Sequence, residues 1–436
     1  MKRCLAFIVL TGLLGCESRT ADLEVRSIPP GAGVQLDGQP TGEATDCTLQ
    51  GLYAGLHLIG LDSGDIYWED TVDLRNGAGH VLTAELPKLR WVRELYGYGL
   101  TAPAVGDDGT VYVASGGALL ALSPAGLELW DVPLSSSYGV TSPVVGDDGT
   151  VYVAAETVLY AFRDSGRLAW RQSLDYGYPS GIALGPDGAV YVTASNALFS
   201  FAAGARNWKK TVDTEGGSVN SAPAVGPSGA IYVVTYSGIH AVSASGQDLW
   251  RYSDEDNSYY GDDMAIDRDG TIYLRGGSGL TALNPDGTRK WRMALADYGW
   301  GGSPAISGDG TICIVLQDTM YGINPAGRVV WRAATGNTYG YGQYGTPAIS
   351  AEGMIHGGTS SSGMVRSVGP GGMPAWEYST TAGDTREGPA ISSDSTMYVS
   401  RGTYLYSFKL PSGPAESGWP MYQHDARRTG RVSAAR

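Results

Sequence analysis

The chain has 436 residues, a formal net charge of −14, 64 glycines, and 27 tyrosines against 5 phenylalanines. That length exceeds one ordinary domain and suits one large repeat array with a small module attached. The acidic balance excludes a general nucleic-acid role, which needs a basic surface, and the glycine and tyrosine usage suits short strands joined by tight turns.

Lys2 and Arg3 give a positive start, and residues 4–14 form an apolar stretch too short to span a bilayer, so residues 1–15 read as a signal peptide. The stretch ends in Leu13-Leu14-Gly15-Cys16. It resembles the bacterial lipobox, which implies cleavage before Cys16, acylation of its thiol, and a lipidated tether over residues 16–21. An ordinary signal peptide with an incidental cysteine is the alternative. At ~0.8 kcal/mol per buried CH₂, several acyl chains would hold the mature chain on a membrane. Glu17 stands where the inner-membrane retention signal of some bacteria resembles an aspartate, which points to the outer membrane of the cell envelope. Cys4 and Cys16 belong to this leader, leaving only Cys47 and Cys313 to pair, in different expected domains, so no disulfide framework is expected.

Residues 22–86 show no helical period and read as short strands at 23–25, 34–36, 56–61 and 81–83 between turn signals. Asp37-Gly38 makes a hairpin and alternating apolar residues bury one face, giving a small β-sandwich-like module. The run Ser27-Ile28-Pro29-Pro30-Gly31-Ala32-Gly33-Val34-Gln35-Leu36-Asp37-Gly38, followed by Gly42 and Gly55-Leu56-His57, resembles the PEGA domain, although Gly64-Asp65-Ile66-Tyr67 departs from its usual Gly-Tyr. The resemblance implies a spacer without chemistry of its own.

From residue 88 onward the chain repeats itself. Trp91, Trp130, Trp170, Trp208, Trp250, Trp291, Trp331 and Trp376 recur at a spacing of about 40 residues, the length of a four-stranded propeller blade. Thr101-Ala102-Pro103-Ala104-Val105-Gly106-Asp107-Asp108-Gly109-Thr110-Val111-Tyr112-Val113 is nearly reprinted at residues 141–153, and its tyrosine recurs as Tyr191, Tyr232, Tyr273 and Tyr398, while Cys313 and His356 replace it. Each unit reads as strand A (Pro-Ala-Val), strand B after an Asp-Gly turn, strand C of the Leu-Leu-Ala-Leu type, and strand D ending Gly-x-x-x-Trp.

Eight A-B-C sets stand against only seven following Gly-x-x-x-Trp strands, and residues 89–94, which precede the first A strand, supply the missing one. The expectation is therefore an all-β chain. An eight-bladed, four-stranded β-propeller over residues 88–410 is closed by an N-terminal strand paired near residues 404–408, and residues 411–436 form a C-terminal tail. A seven-blade ring with one unit displaced would waste a complete repeat.

These residues, over roughly 88–431, resemble the PQQ-like propeller repeats of quinoprotein dehydrogenases and of the propeller lipoprotein of the outer-membrane β-barrel assembly machine. The resemblance implies that each of the eight tryptophans docks on the neighbouring blade. The tail Gly418-Trp419-Pro420-Met421-Tyr422-Gln423-His424-Asp425-Ala426-Arg427-Arg428-Thr429-Gly430-Arg431 resembles a segment common in these proteins and carries no evident chemistry.

Enzymes of that family resemble one another in an adjacent cysteine pair, a calcium held by acidic and amide side chains, and a catalytic aspartate. This chain has no adjacent cysteines and very uniform copies, so no catalytic residue, metal or cofactor is expected. His57, His80, His240, His356 and His424 lack metal-ligand spacing, and Asp254-Glu255-Asp256-Asn257 with Asp262-Asp263 reads as a solvated acidic loop more readily than a calcium site.

One surface feature rises above background. Tyr98, Tyr138, Tyr178, Tyr260, Trp300, Tyr341 and Tyr344 fall in the D-to-A loops, which converge on one face of the ring. Rigid aromatics with a polar tip suit a partner-binding surface, whereas simple filling of the turn by Tyr-Gly is the plain alternative. The leading function is a non-enzymatic scaffold for an envelope protein or glycan, touching the membrane through its lipid only and binding no nucleic acid. By analogy it serves in outer-membrane protein assembly. A PQQ-dependent quinoprotein oxidoreductase is the rival.

Overall fold

The computed structural model describes residues 20–28, 30–64, 66–75, 79–97, 100–212, 219, 221–235, 238–253, 264–276, 279–295, 302–316, 319–334, 345–359, 363–380 and 388–432. Among these residues every named element is a β-strand. The chain divides into two compact units, Met1–Gly64 with Trp68–Glu85, and Asp65–Tyr67 with Leu86–Arg436.

In the first unit β4 (Cys47–Tyr53), β1 (Thr20–Ile28) and β7 (His80–Glu85) form one sheet in that order. A second set runs β3 (Gln39–Ala44), β2 (Gly33–Leu36), β5 (Leu56–Ser63) and β6 (Ile66–Asp73). Side chains alternate between the two faces of a strand, so Leu23 and Val25 of β1 turn inward, and Val34, Ile59 and Leu61 are buried with them. Asp37 (φ 50°) and Gly38 (φ 76°) make the left-handed two-residue turn that matches strand twist.

His57 explains why that hairpin holds its shape. Its ring is completely buried, with Nδ1 2.9 Å from Asp37 Oδ2 and Nε2 2.9 Å from the Tyr53 carbonyl, while Leu58 N–H donates to Asp37 Oδ1 at 2.9 Å. A carboxylate and a carbonyl can only accept, so both ring nitrogens donate when the imidazole is protonated. Burial opposes that charge, but the Tyr53 carbonyl and Asp37 override it and hold the His57 pKa above its ordinary value.

The second unit is built of four-stranded antiparallel sheets, in chain order A-B-C-D in all but the last. Sheet 1 comprises Ala104–Val105, Val111–Ser115, Ala118–Leu122 and Glu128–Pro133. The B and C strands are buried almost throughout, whereas D alternates between half-buried and exposed, so A to D runs from the interior to the rim. The A strand Ala104–Val105 touches Val144–Val145, Pro179–Leu184 touches Ala224–Val225, and Ala348–Ile349 touches both Ala305–Ile306 and Ala390–Ile391. The turn of the template is fixed by its own residues: Thr110 N–H and Oγ1 donate to the two Asp108 oxygens at 3.0 and 2.8 Å, and Asp148/Thr150 and Asp269/Thr271 repeat the bond pair.

The last sheet contains Ala390–Ile391, Thr396–Arg401, Tyr404–Lys409 and, as its outer strand, Lys88–Glu94. The expected pairing is present, with Tyr404 opposite Glu94, Tyr406 opposite Val92 and Ser407 opposite Trp91. The chain's early strand thus completes its final sheet and leaves the 404–409 edge paired.

Within the C-terminal tail of residues 411–436, residues 413–432 run along the A strands and are mostly buried or half-buried. An A strand has a sheet neighbour on one side only, and its other backbone edge needs partners.

Candidate functional site

Tryptophan docking follows one geometry. The ring of each D-strand tryptophan lies on the glycine that opens the next sheet's Gly-x-x-x-Trp motif. A Cβ placed on Gly126 would come within 2.8 Å of Trp91, one on Gly166 within 2.8 Å of Trp130, and one on Gly287 within 2.5 Å of Trp250. Gly204, Gly246, Gly327 and Gly372 take Trp170, Trp208, Trp291 and Trp331 in the same way. The indole N–H then donates across to the neighbouring turn: Trp91 to the Pro124 carbonyl at 2.9 Å, Trp130 to Asp164 at 2.7 Å and Trp291 to Pro325 at 2.8 Å. Trp376 departs from the rule. Its neighbour is the last sheet, where the C-to-D link is a break between the chain's two ends, and Trp376 packs on the Phe408 ring (centroids 6.0 Å apart) instead of a glycine.

Inside six of the sheets the same tryptophan meets the B-strand tyrosine. Tyr112–Trp130, Tyr152–Trp170, Tyr232–Trp250 and Tyr273–Trp291 have ring centroids 5.7 to 5.9 Å apart. His356 takes the tyrosine's place beside Trp376 at 5.8 Å. It is buried between Ser350 Oγ, 3.2 Å from Nε2, and Ser367 Oγ at Nδ1, and burial pushes its pKa down to about 3. The eight tryptophans therefore pack within and between sheets, Trp376 buried and the other seven half-buried.

Residues 413–432 lie along the inner edges of the A strands. Val105, Val145, Leu184 and Val225 donate their backbone N–H to the carbonyls of Ala426 (2.7 Å), Arg427 (2.9 Å), Thr429 (2.8 Å) and Gly430 (2.7 Å). Ile306 and Ile349 donate to Trp419 (2.7 Å) and Pro420 (2.9 Å). Gly418 lies so near Asp267 that a Cβ would be 2.5 Å from its Cα. Fully buried Arg428 donates from Nε to Pro103 O at 3.0 Å, from Nη1 to Tyr422 O at 2.9 Å and from Nη2 to Gly388 O at 2.8 Å. One side chain thus ties sheet 1 to the last sheet beside the closure. Asp425 caps the same turn through Thr429 N–H (3.0 Å) and Oγ1 (2.7 Å). Burial would raise its pKa, but His424 and Thr429 outweigh that and hold it at about 2.

At the rim of this inner strand Arg427 reaches Asp147 at 2.8 Å and Asp107 at 3.5 Å, and Arg431 reaches Asp147 at 3.2 Å. The first aspartate of the Asp-Asp-Gly turn in the first two sheets therefore anchors the tail. Nothing in the hydrophobic pattern of residues 413–432 signalled this, because the pairing runs through backbone groups. The one sequence cue was local: Gly418 and Gly430 stand where the tail comes within Cβ distance of the A strands.

Of the aromatic residues expected on the D-to-A loops, Tyr138 and Tyr178 are described, and they are 76% and 62% exposed. Tyr98, Tyr260, Trp300, Tyr341 and Tyr344 lie outside the described residues, as do Cys16 and the acidic run at 254–257. The Tyr178 ring covers Gly139 of the preceding loop, so that a Cβ there would be 2.4 Å from it. Neighbouring loops on this face therefore touch, and Tyr-Gly pairing packs one loop on the next while leaving the ring exposed. Cys47 and Cys313 are both free thiols. Among the described residues no group of three His, Cys, Asp or Glu is placed to hold a metal ion.

A sequence profile described as outer membrane protein assembly factor BamB matches residues 54–274 and 237–414, most of the chain. The chain belongs to the BamB family. The structure of BamB from Moraxella catarrhalis is similar over 74% of this chain and 100% of that one, with 14% identity and a TM-score of 0.60. The Dos1 propeller matches 75% of this chain and 95% of its own at 11% identity and a TM-score of 0.61. Virginiamycin B lyase from Staphylococcus aureus matches 74% and 99% at 13% identity and a TM-score of 0.51. At such identities these likenesses bear on the fold, an all-β propeller of four-stranded sheets. No curated protein matches this BamB-family sequence.

Proposed function

We propose that this BamB-family chain is a non-enzymatic envelope lipoprotein whose propeller is a rigid binding platform in outer-membrane protein assembly. The propeller has eight blades, closed by Lys88–Glu94, and a PEGA-like spacer over residues 22–86 links it to a lipid on Cys16. The observation that carries the reading is the inner strand. Residues 413–432 bond to the A strands of six sheets and the tryptophans pack between sheets, which favours the loop face for recognition. The exposed rings of Tyr138 and Tyr178 stand on that face and suit a protein partner, with a glycan as the lesser candidate. The BamB family supplies the assembly context.

The test is affinity capture of the full-length chain from detergent-solubilised envelope, beside a variant with Tyr98, Tyr138, Tyr178 and Tyr260 replaced by serine. Capture of outer-membrane assembly components by the native chain, lost in the variant with its melting temperature unchanged, is expected. Equal capture by both forms would move the binding face elsewhere.

A further inference from the structure

Sheet 6 (Ala305–Ile306, Ile312–Leu316, Thr319–Ile323, Val329–Ala334) breaks the repeat at one place. Its B strand carries Cys313 where sheets 1 to 5 and the last sheet carry tyrosine. A cavity of about 200 Å³ opens beside that thiol, lined by Ser307, Asp309, Thr311, Cys313 and Trp331, with Glu352, Gly353 and Pro370 across the gap.

The lining is the set of positions that hold the tyrosine elsewhere. In sheet 1 the Tyr112 ring lies against Trp130 (5.8 Å) and over Gly106, and its hydroxyl meets the Thr110 side chain near Asp108 and Asp164. Strand register makes Trp331, Ser307, Thr311, Asp309 and Pro370 the counterparts of those five residues. Serine at the Ser307 position does not bar a ring, because the last sheet keeps Tyr398 beside Ser392. Trp331 has settled toward the space the ring vacates. It crosses Gly322 so closely that a Cβ would be 2.1 Å from the indole, whereas the other sheets have alanine or serine opposite their tryptophan. Trp331 cannot fill the hollow, because it also stays docked on Gly372.

We infer that this hollow is a binding site for a single phenol ring, inserted from outside into the place that a tyrosine of the chain itself occupies in the other sheets. The ring stacks against Trp331, and its hydroxyl donates to Asp309 or Thr311, as Tyr112, Tyr152 and Tyr398 use the equivalent threonine. The fully buried Cys313 thiol, whose pKa burial pushes up, forms an inert floor. The proposal is independent of the assembly reading, since it rests on the hollow beside Cys313.

The experiment titrates the full-length chain with p-cresol and with N-acetyl-tyrosinamide by calorimetry, beside Cys313→Tyr and Cys313→Ala. The expected result is one p-cresol per chain with affinity on the order of millimolar, as suits so small a ligand. Binding should be retained in Cys313→Ala and weakened at least tenfold in Cys313→Tyr, whose own ring fills the site. Binding of the capped tyrosine as well assigns the site to a side chain of a partner; binding of p-cresol alone assigns it to a free phenol. Crystals of the unaltered chain soaked in 4-bromophenol give a second readout that needs no variant, with bromine expected between Trp331 and Pro370. Absence of binding by both probes, equal p-cresol affinity in Cys313→Tyr, or bromine only at other places would overturn the proposal.

Discussion

The Trp91 indole and the Tyr398 ring lie with centroids 5.9 Å apart at an interplanar angle of 46°, the same contact that joins Tyr112 to Trp130 within one continuous sheet. Here the two partners come from opposite ends of the repeat array. Replacing Trp91 with alanine removes this contact and the docking on Gly126 together, and should cost about 2–3 kcal/mol for a half-buried indole. Removing all residues through 94 should do worse, since it bares the Tyr404–Lys409 edge. Denaturant melts and light scattering check both, with aggregation expected for the truncation alone.

Arg428 satisfies three carbonyls, two of them buried, from one guanidinium. Arg428→Met keeps the bulk and removes the donors, leaving the carbonyls of Pro103, Gly388 and Tyr422 unpaired at a cost of about 3 kcal/mol or more. Arg428→Lys should recover only part, because an ammonium lacks the planar fork that reaches all three. Urea unfolding midpoints of the three proteins give the ordering directly.

His356 makes the second unit sensitive to acid. Its pKa is about 3 in the folded chain against an ordinary value of 6.5, so the folded state favours the neutral ring. The contribution is complete above pH 6.5 and is lost as pH falls below it, by about 2 kcal/mol at pH 5. His356→Tyr restores the repeat's own residue in a setting the last sheet already uses, Ser392 and Ser407 around Tyr398. Stability measured between pH 7 and pH 5 should lose most of its slope in that variant.

His57 acts in the opposite sense on the first unit. Its folded pKa is raised, so its contribution is complete below pH 6.5 and is lost as pH rises through the folded value. Thermal unfolding of the first unit should therefore come at lower temperature at pH 8.5 than at pH 6, and His57→Gln should remove the difference. An unchanged pH dependence in the variant would show that Asp37 holds the hairpin without the charge.

Two glycines separate strain from collision. Gly188 has φ 79° with nothing near a Cβ, whereas Gly287 has φ 85° and would place a Cβ 2.5 Å from Trp250. Alanine at Gly188 should cost the left-handed penalty alone, roughly 1 kcal/mol, and at Gly287 at least twice as much. Calorimetric melting of both variants measures the gap.

The repeat was legible because it is written in side chains. Asp-Gly-Thr at four of the turns, the B-strand tyrosine and the Gly-x-x-x-Trp spacing all report contacts that recur, and Trp91 standing alone before the first A strand exposed the closure. The role of residues 413–432 was not legible, because a strand that pairs through N–H and C=O groups can have almost any side chains. The emptied tyrosine position at Cys313 was visible as a departure from the column, yet its meaning depends on whether neighbours collapse into the space. That in turn depends on how far Trp331 can move while it is still held by Gly372. The exposed rings of Tyr138 and Tyr178 were readable as loop residues, whereas the packing of Tyr178 on Gly139 follows from loop contacts between sheets that no local pattern encodes.

The inner strand has a consequence for how the chain comes into being. Synthesis yields Lys88–Glu94 first among these elements and residues 413–432 last, and each needs a partner made at the other end of the array. A nascent chain can form its individual sheets as they emerge, yet both the outermost slot of the last sheet and the innermost edge of nearly every sheet stay open until translation is almost complete. Stop codons or proteolytic cuts between residues 410 and 432 should therefore leave an array with correct local sheets and exposed inner edges, prone to cross-pairing between molecules.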